Sequence, residues 1–392
     1  ALDVDPQSHK QLEMAEGQLR ILRVSADLYP AVSGGLGLHV HHLSRDQAAT
    51  GHEVVVLTSD HGDSTLPERD TQSGYTVVRK KELVSPVDNS ICPGFAHFLW
   101  TRADEFDIIH AHSHLFFTSN LAAVVRQLTD TPLVLTNHGI TSQTASDVLE
   151  RVYNPTIGRY TFNAADRVFC YTEKEAEMLH NRGVTTSVSV IKNGIDCTTF
   201  RPRSDIEREN RVLFVGRLKQ GKRPERAIEA FSELRETHPE LKLTMVGGGP
   251  LRKDLEIKVR ELGLADAVTF AGDVEYERMP EFYNRAKLLL FPTATEAGNP
   301  RVILEALASQ TPVVATDLPQ IESAIKDHIC SVDTDATGEM EAAARTVLRG
   351  DGETPGEGGR ELVKTKYSWN STSEKVIEEY LRVLEEEGSR ND

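Results

Sequence analysis

Short apolar runs recur along the chain, and the segments between them have the longer apolar period of a helix. Residues 52–58 (HEVVVLT) are β-branched and unbroken, as expected of a strand that is buried on both faces. Strands that alternate with helices predict βαβ units and a parallel sheet. In the first half of the chain, the predicted strands are residues 19–25, 52–58, 75–79, 106–110, 132–136, 167–171 and 187–191.

The alternation stops at residues 196–210, which contain proline and many charges but no apolar period. This break predicts a linker at about 197–210 between two α/β domains. The tail at 368–387 has apolar residues three and four positions apart, which indicates an amphipathic helix. In the second half, the predicted strands are 211–215, 241–246, 267–271, 288–291, 312–315 and a weak strand near Ile329.

The length of the chain also favours two domains. It has 392 residues, and a single hydrophobic core rarely grows beyond about 250–300 residues. In open parallel sheets, ligands bind outside the carboxyl ends of the strands. Two such sheets create a cleft, so the loops that follow the strands are the expected positions of a binding site.

Charge and cysteine content narrow the range of partners. The chain has 44 Lys and Arg against 60 Asp and Glu, a formal net charge of −16. We therefore expect no nucleic-acid partner, because phosphate backbones are repelled by such a surface.

The four cysteines are far apart and form no CxxC pair. This spacing argues against a zinc knuckle or a disulfide framework and favours a reducing compartment.

No apolar run reaches the roughly 18–20 residues that a membrane-spanning helix requires. The first 18 residues lack the apolar region of a signal peptide, so we expect a cytoplasmic protein. The basic run at 79–81 (RKK) leaves open a peripheral contact with lipid at the inner face of the membrane. Short charge runs of this kind are more often solvated surface.

Two glycines, Gly34 and Gly35, separate the first predicted strand from a predicted helix. Glycine allows close backbone approach, and a helix N-terminus presents N–H groups to an anion. In the second half, Gly216, Arg217 and Lys222 follow strand 211–215, where the two cations can clamp a diphosphate. The alternatives are a plain tight turn for the glycines and solvated surface charges for the cations.

The loop after strand 288–291 combines hydrogen-bond donors with hydrogen-bond acceptors. Gly298, Asn299 and Pro300 introduce a helix, whose N-terminus offers N–H groups to phosphate. Glu296 lies at the start of this loop and Glu305 within the helix, and their carboxylates can accept hydrogen bonds from sugar hydroxyls. Donors for phosphate together with acceptors for hydroxyls are typical of a nucleotide-sugar site.

These segments together resemble family 4 of the retaining GT-B glycosyltransferases, the glycosyl transferases group 1 type. The resemblance covers nearly the whole chain from Leu19. It implies the GT-B fold, in which two Rossmann-like domains with parallel sheets face each other across a cleft. The matching segments are GGLGLHV (34–40), FDIIHAHSH (106–114), TNHG (136–139), VIKNGID (190–196), VGRLKQGK (215–222), GGGP (247–250), VTFAGDV (268–274) and LEALASQTPVVATDLP (304–319).

The resemblance implies a division of the chain into four parts. Residues 1–18 form an N-terminal extension, and residues 19–200 form the acceptor-side Rossmann-like domain. Residues 208–365 form the domain that binds the nucleotide sugar. Residues 366–392 form a helix that crosses back to the first domain.

The resemblance also implies roles for particular residues. His112 faces the donor sugar near the reacting carbon, Arg217 and Lys222 hold the diphosphate, and Glu296 contacts the sugar. Gly35 contacts a donor phosphate, Glu305 binds the ribose hydroxyls, and Gly247 and Val274 border the base. The full set of implied donor-binding residues is Gly34, Gly35, His138, Gly216, Gly247, Val274, Gly298, Asn299, Pro300 and Glu305.

One departure from the family pattern concerns the two glutamates. Glu296 and Glu305 are nine positions apart, where the family has eight, and position 297 is alanine. Either the loop has one extra residue and Glu296 still reaches the sugar, or the first glutamate is lost. We favour the first alternative, because a neighbouring glycine can accommodate one added residue.

The expected function is therefore that of a retaining glycosyltransferase of the hexosyltransferase type, with a nucleotide-diphosphate sugar as donor. The acceptor is a glycan, a lipid-linked sugar or a small molecule. No metal or cofactor is expected, since the two cations that follow strand 211–215 can hold the diphosphate. One alternative is a catalytically silent protein that binds a nucleotide sugar. The other is a metal-dependent hydrolase that uses His110, His112 and His114 on one face of a strand.

Overall fold

The computed structural model describes residues 17–32, 34–86, 89–139, 151–294, 299–319, 321–333, 338–350 and 357–391. The chain divides into two compact units. The first unit runs to Lys192 and also includes the segment that begins at Trp369, and the second unit is Asn193–Ser368.

The described residues of the first unit form an eight-stranded sheet with the order β3-β4-β2-β1-β5-β6-β7-β8. Neighbouring strands are parallel, except that β3 and β4 are antiparallel. The strands are β1 (Arg20–Val24), β2 (Glu53–Ser59), β3 (Arg69–Gln72), β4 (Tyr75–Lys80), β5 (Ile108–His112), β6 (Leu133–Thr136), β7 (Arg167–Cys170) and β8 (Val188–Val190).

The sheet of the first unit is buried on both faces. In β1, Leu22 and Val24 belong to one core cluster, whereas Ile21 belongs to the cluster on the other face. The described helices of this unit are α1 (Gly35–Ala49), α2 (Pro93–Arg102), α3 (Phe117–Arg126), α4 (Arg159–Ala164), α5 (Glu173–Asn181) and, at the end of the chain, α13 (Trp369–Asn391).

All the predicted strands of the first half are present, and the structure adds β3. Its residues (RDTQ) are exposed or half-buried at the edge of the sheet, so they lack the apolar signal of a strand. A tight turn at Ser73 and Gly74, both with positive φ, reverses the chain into β4. The edge strand therefore depends on turn geometry rather than on hydrophobicity.

The described residues of the second unit form a six-stranded parallel sheet with the order β11-β10-β9-β12-β13-β14. Its strands are β9 (Arg211–Val215), β10 (Lys242–Val246), β11 (Val268–Gly272), β12 (Leu288–Phe291), β13 (Val313–Thr316) and β14 (Cys330–Val332). Its described helices are α6 (Pro224–Arg235), α7 (Arg252–Glu261), α8 (Met279–Arg285), α9 (Arg301–Ala308), α10 (Ser323–Lys326), α11 (Glu339–Arg349) and α12 (Glu357–Lys366).

The second unit begins earlier than the linker predicted at about 197–210. Ile195 and Phe200 are fully buried in the core of this unit, and the Ile195 N–H donates to the carbonyl of Tyr367 at 2.6 Å. The ring of Phe200 packs against Tyr283 with ring centroids 5.8 Å apart. Because these two apolar residues lie among charged residues, the sequence pattern places the start of the second unit too late in the chain.

The final helix α13 completes the core of the first unit. Trp369, Val376, Tyr380 and Val383 are buried in one of its two clusters. No helix in the described part of the chain combines the length and the apolar character needed to cross a membrane.

A buried arginine connects α13 to β1 and α1. Arg23 is 0% exposed, and it donates hydrogen bonds to Ser44 Oγ at 2.8 Å, Gln47 Oε1 at 2.6 Å and the Tyr380 hydroxyl at 3.1 Å. The Tyr380 hydroxyl also bonds with His110 Nδ1. Burying a charge is costly unless hydrogen bonds compensate it, so the bond from Arg23 to Tyr380 of α13 stabilises the interior of the first unit.

We expect Tyr380→Phe to lower the free energy of unfolding by about 1–3 kcal/mol, because it leaves buried donors of Arg23 without a partner. Chemical denaturation of the full chain measures the loss. Leu381→Ala is the matched control on the same helix. This side chain is 41% exposed, and its change should stay within about 0.5 kcal/mol. Equal stability of Tyr380→Phe and wild type would contradict the role of the hydroxyl.

Candidate functional site

In each unit, the predicted site residues gather at the carboxyl ends of the strands. In the first unit they follow β1, β5 and β6, and in the second they follow β9 to β12. This edge is the usual ligand-binding edge of an open parallel sheet.

The glycine pair before α1 faces open space. Gly34 is the N-cap of α1 and Gly35 its first residue. Among the residues that the structure describes, a Cβ atom at either position would meet no atom within 4 Å. A Cβ at Gly37 would instead lie 2.8 Å from the carbonyl oxygen of Val32. Packing within the chain thus requires glycine at 37 but not at 34 or 35, which leaves the helix N-terminus accessible to an anion.

Three imidazole rings meet beside the ends of β5 and β6. His112 Nδ1 lies 3.0 Å from His138 Nε2, and the ring of His39 packs edge-on against His138 at 4.9 Å. One nitrogen of each ring lies within 4.8 Å of the others, close enough to hold a metal ion. The expectation of a metal-free site stays a prediction. His39 joins this cluster although its motif lies far from the other two in sequence.

His112 is uncharged at neutral pH. Its ring is 0% exposed, and burial, aided by the neighbouring His110, holds its pKa well below the ordinary value. Among the described residues, its Nε2 atom has no hydrogen-bond partner. A buried polar atom without a hydrogen-bond partner costs about 1–3 kcal/mol of stability. A ligand hydroxyl that bonds with this nitrogen would remove that cost.

The three histidines of the hydrolase alternative do not converge. His110 bonds with Thr136 Oγ1 at 2.6 Å and with Tyr380. His114 lies beyond the end of β5, where it bonds with Asn154 at 3.2 Å and packs against Phe162. Burial lowers the pKa of His114 to about 4. His110 and His114 therefore have structural partners, and the arrangement does not match a hydrolase metal site.

In the second unit, the glycine run after β10 packs against the loop after β9. A Cβ at Gly247 would lie 2.2 Å from the carbonyl oxygen of Gly216, and Gly247 has a φ of +118°. The Leu218 N–H donates to the carbonyl of Gly248 at 2.8 Å. The sequence suggested that this bare backbone accommodates a ligand. That expectation stays a prediction, and within the unit the bare backbone also allows two loops to make contact.

This contact fixes the turn that carries the two predicted cations. Arg217 is exposed and Lys222 is half-buried, and Lys222 Nζ lies 5.8 Å from the centre of the Phe291 ring. A Cβ at Gly216 would lie 3.9 Å from Lys222 Cδ. Both cations thus follow β9 at the carboxyl edge of the sheet. Val274, two residues after β11, is half-buried in the same unit.

Glu305 is more deeply buried than the sequence indicates. It is 6% exposed, accepts a hydrogen bond from the Tyr283 hydroxyl at 2.9 Å and pairs with Arg301 at 3.4 Å. Burial raises the pKa of this carboxyl group. Tyr283 and Arg301 are partners that no motif identified. They orient the carboxylate, whose remaining lone pairs can accept hydroxyl groups.

The loop before α9 is only partly described. Glu296 and Gly298 lie outside the described residues. The side chain of Asn299 donates to Glu322 Oε1 at 2.9 Å and accepts from the Glu322 N–H at 3.0 Å. Pro300 is buried and forms the N-cap of α9. The Asn299 amide therefore holds this loop in place, which leaves backbone groups as its contribution to a ligand.

The chain matches two family descriptions in succession. Glycosyltransferase Family 4 matches residues 33–199, and Glycosyl transferases group 1 matches residues 196–351. The chain is 28% identical to a glycogen synthase of Mycobacterium tuberculosis over 402 aligned positions, which cover 93% of this chain and 94% of that protein.

Two solved structures have a fold similar to that of this chain. Sucrose-phosphate synthase from Thermosynechococcus elongatus matches with a TM-score of 0.75 at 22% identity, covering 93% of this chain and 99% of that chain. Anabaena HepE in complex with UDP-glucose matches with a TM-score of 0.74 at 18% identity, covering 93% and 99%. The chain belongs to the GT-B glycosyltransferases of the family 4, group 1 type, and it is an enzyme of that class.

Gly247→Ala should lower the free energy of unfolding by roughly 2 kcal/mol or more, because a Cβ meets the Gly216 carbonyl and the backbone is left-handed. Denaturant unfolding of the full chain measures this loss. Gly34→Ala is the control, since its Cβ meets no atom and its stability should match wild type. Equal stability of the two variants would show that the loop contact does not matter.

Proposed function

We propose that this enzyme is a retaining hexosyltransferase that moves a sugar from a nucleotide-diphosphate donor to a hydroxyl group of its acceptor. The observation that supports it best is the pair Arg217 and Lys222 on a turn fixed by the contact of Gly247 with Gly216. Rigid cations at the carboxyl edge of a parallel sheet suit a diphosphate. Gly216 allows close approach of backbone to phosphate.

Residues of the first unit are also proposed to bind donor groups. Gly34 and Gly35 leave space beside the first N–H groups of α1, which suit a phosphate oxygen. His112 offers its unpartnered Nε2 to a sugar hydroxyl, and His138 supports its ring. Each contact uses a polar group whose bonding capacity the chain itself leaves unfilled.

The rest of the donor is proposed to lie along the second unit. Glu305 accepts the ribose hydroxyls, and Gly247 and Val274 border the base. Gly298, Asn299 and Pro300 contribute backbone groups to the sugar, and Glu296 contributes a carboxylate despite the spacing of nine positions. Apart from this spacing, the assignments follow what the family resemblance implies.

The mechanism relies on electrostatics. Cleavage of a sugar–diphosphate bond builds negative charge on the leaving oxygen and positive charge on the anomeric carbon. Arg217 and Lys222 oppose the first charge without a metal ion. The acceptor hydroxyl then attacks from the face that the diphosphate leaves, with a phosphate oxygen taking its proton. This route retains the anomeric configuration.

The comparisons suggest where to look for substrates. HepE is bound to UDP-glucose in its structure, so UDP-glucose is the first donor to test. The relatives named glycogen synthase and sucrose-phosphate synthase indicate sugar acceptors. We propose a glycan or a small sugar as acceptor, with lipid-linked sugars as the other class to test.

Arg217→Ala should reduce turnover by about 10²–10³, the usual effect of removing one fixed donor from a developing anion. Nucleotide release from the donor, together with sugar transfer to acceptor, measures the effect. Arg349→Ala is the matched control, since it removes the same charge from α11, which follows no site loop. Near-normal turnover in Arg217→Ala would refute the proposed role.

Gly35→Ala should weaken donor binding without loss of stability, because the added methyl group meets only the space proposed for phosphate. Thermal shifts with UDP, GDP and ADP sugars measure binding, since a ligand at 100 times its Kd stabilises by about 2.7 kcal/mol. Gly388→Ala, also at an open position, should keep the full shift. A normal donor shift in Gly35→Ala would count against a phosphate beside α1.

A further inference from the structure

Three side chains of the first unit form a continuous hydrogen-bonded chain. His112 Nδ1 lies 3.0 Å from His138 Nε2, and His138 Nδ1 lies 2.8 Å from the Tyr171 hydroxyl. The three residues lie at or just beyond the ends of β5, β6 and β7. The remaining nitrogen at the end of this chain is His112 Nε2, which has no partner among the described residues.

The polarity of this chain is set at its tyrosine end. A neutral imidazole has one donor and one acceptor nitrogen, so the direction of one bond determines the next. The Tyr171 hydroxyl has two imidazole neighbours, His138 Nδ1 at 2.8 Å and His39 Nδ1 at 3.5 Å. Its proton belongs with the nearer nitrogen, because a phenol hydroxyl is a stronger donor than a neutral imidazole N–H and hydrogen bonds weaken steeply with distance.

The direction of this bond also determines which nitrogen of His112 holds the proton. When Tyr171 donates to His138 Nδ1, His138 has its proton on Nε2 and donates to His112 Nδ1. His112 then has its own proton on Nε2. We propose that Tyr171 is a positioning residue that fixes, through His138, the tautomer of His112 that presents Nε2–H as a donor to an oxygen of the sugar. This inference rests on the proposed function, and it makes His112 a donor rather than a base.

The surroundings hold both ends of the chain in place. The Tyr171 N–H donates to Glu175 Oε2 at 2.7 Å, and the Glu175 N–H donates to Thr172 Oγ1 at 3.2 Å. This reciprocal cap at the start of α5 fixes the tyrosine backbone. At the other end, the His112 ring stacks on His110 with centroids 4.3 Å apart. Burial holds the pKa of His112 and His138 well below the ordinary value, so both rings stay neutral.

The first experiment removes only the hydroxyl. Tyr171→Phe should lower kcat roughly 3- to 10-fold, as the loss of one hydrogen bond predicts, with the KM for donor unchanged. Tyr75→Phe is the matched control, because it removes another tyrosine–histidine bond of 2.8 Å, to His41, in the same unit. Its kcat should equal that of wild type. An equal kcat in the two variants would overturn the inference.

The second experiment exchanges His112 for an amide. Glutamine can place an N–H near the position of Nε2, whereas asparagine can place one only near Nδ1. His112→Gln should therefore retain at least about 10-fold more turnover than His112→Asn, a difference that corresponds to about one hydrogen bond. If the asparagine variant were equal or better, His112 would not act through Nε2–H.

A third measurement does not depend on activity. Nitrogen-15 NMR of histidine-labelled enzyme reports which ring nitrogen holds the proton. We expect His112 to be protonated on Nε2 in wild type, and this single tautomer to be lost in Tyr171→Phe. A proton on Nδ1 in wild type would refute the inference even if sugar transfer is confirmed. Absence of any transfer or donor hydrolysis in wild type would instead refute the proposed function.

Discussion

A buried positive charge organises the first unit. Arg23 lies on the central strand β1 and is bonded to oxygens of α1 and α13, so one guanidinium joins three elements that are distant in sequence. Its bond to Tyr380 continues to His110, on which His112 stacks. Its charge also disfavours protonation of His110 and His112, in addition to the effect of burial. Arg23 thus helps to hold His110 in place, and it adds to the effect of burial, which is the main cause of the low pKa of His110 and His112.

The loops of the second unit are held by backbone packing rather than by a buried charge. This unit fixes its loops with backbone contact, since Gly247 and Gly249 allow the carbonyl groups of Gly216 and Leu218 to approach where any Cβ would clash. The predicted cations Arg217 and Lys222 are exposed and half-buried, respectively, at the edge of the sheet, whereas the predicted site residue His112 of the first unit is 0% exposed.

Much of the fold could be predicted from sequence, because the strands are continuous apolar runs. β3 was missed since its four residues are polar, and the second unit begins before the predicted linker because Ile195 and Phe200 are apolar residues among charges. The motifs located His112, Arg217 and Glu305. Their partners Tyr171, Arg301 and Tyr283 could not be predicted with them, since each contact requires the fold. Of these three residues, only Tyr171 could have been noticed in the sequence, because it lies at the end of a predicted strand.

The place of α13 in the first unit affects how the chain is made. The second unit is one continuous segment and can fold as soon as residue 368 has left the ribosome. The first unit has all eight described strands of its sheet by residue 192 but lacks α13 until residues 369–391 have been made. At about 5–20 residues per second, this delay lasts roughly 10 to 40 s. During that interval, the apolar surface later covered by Trp369 and Val376 remains uncovered, so the nascent first half is a natural client for a chaperone.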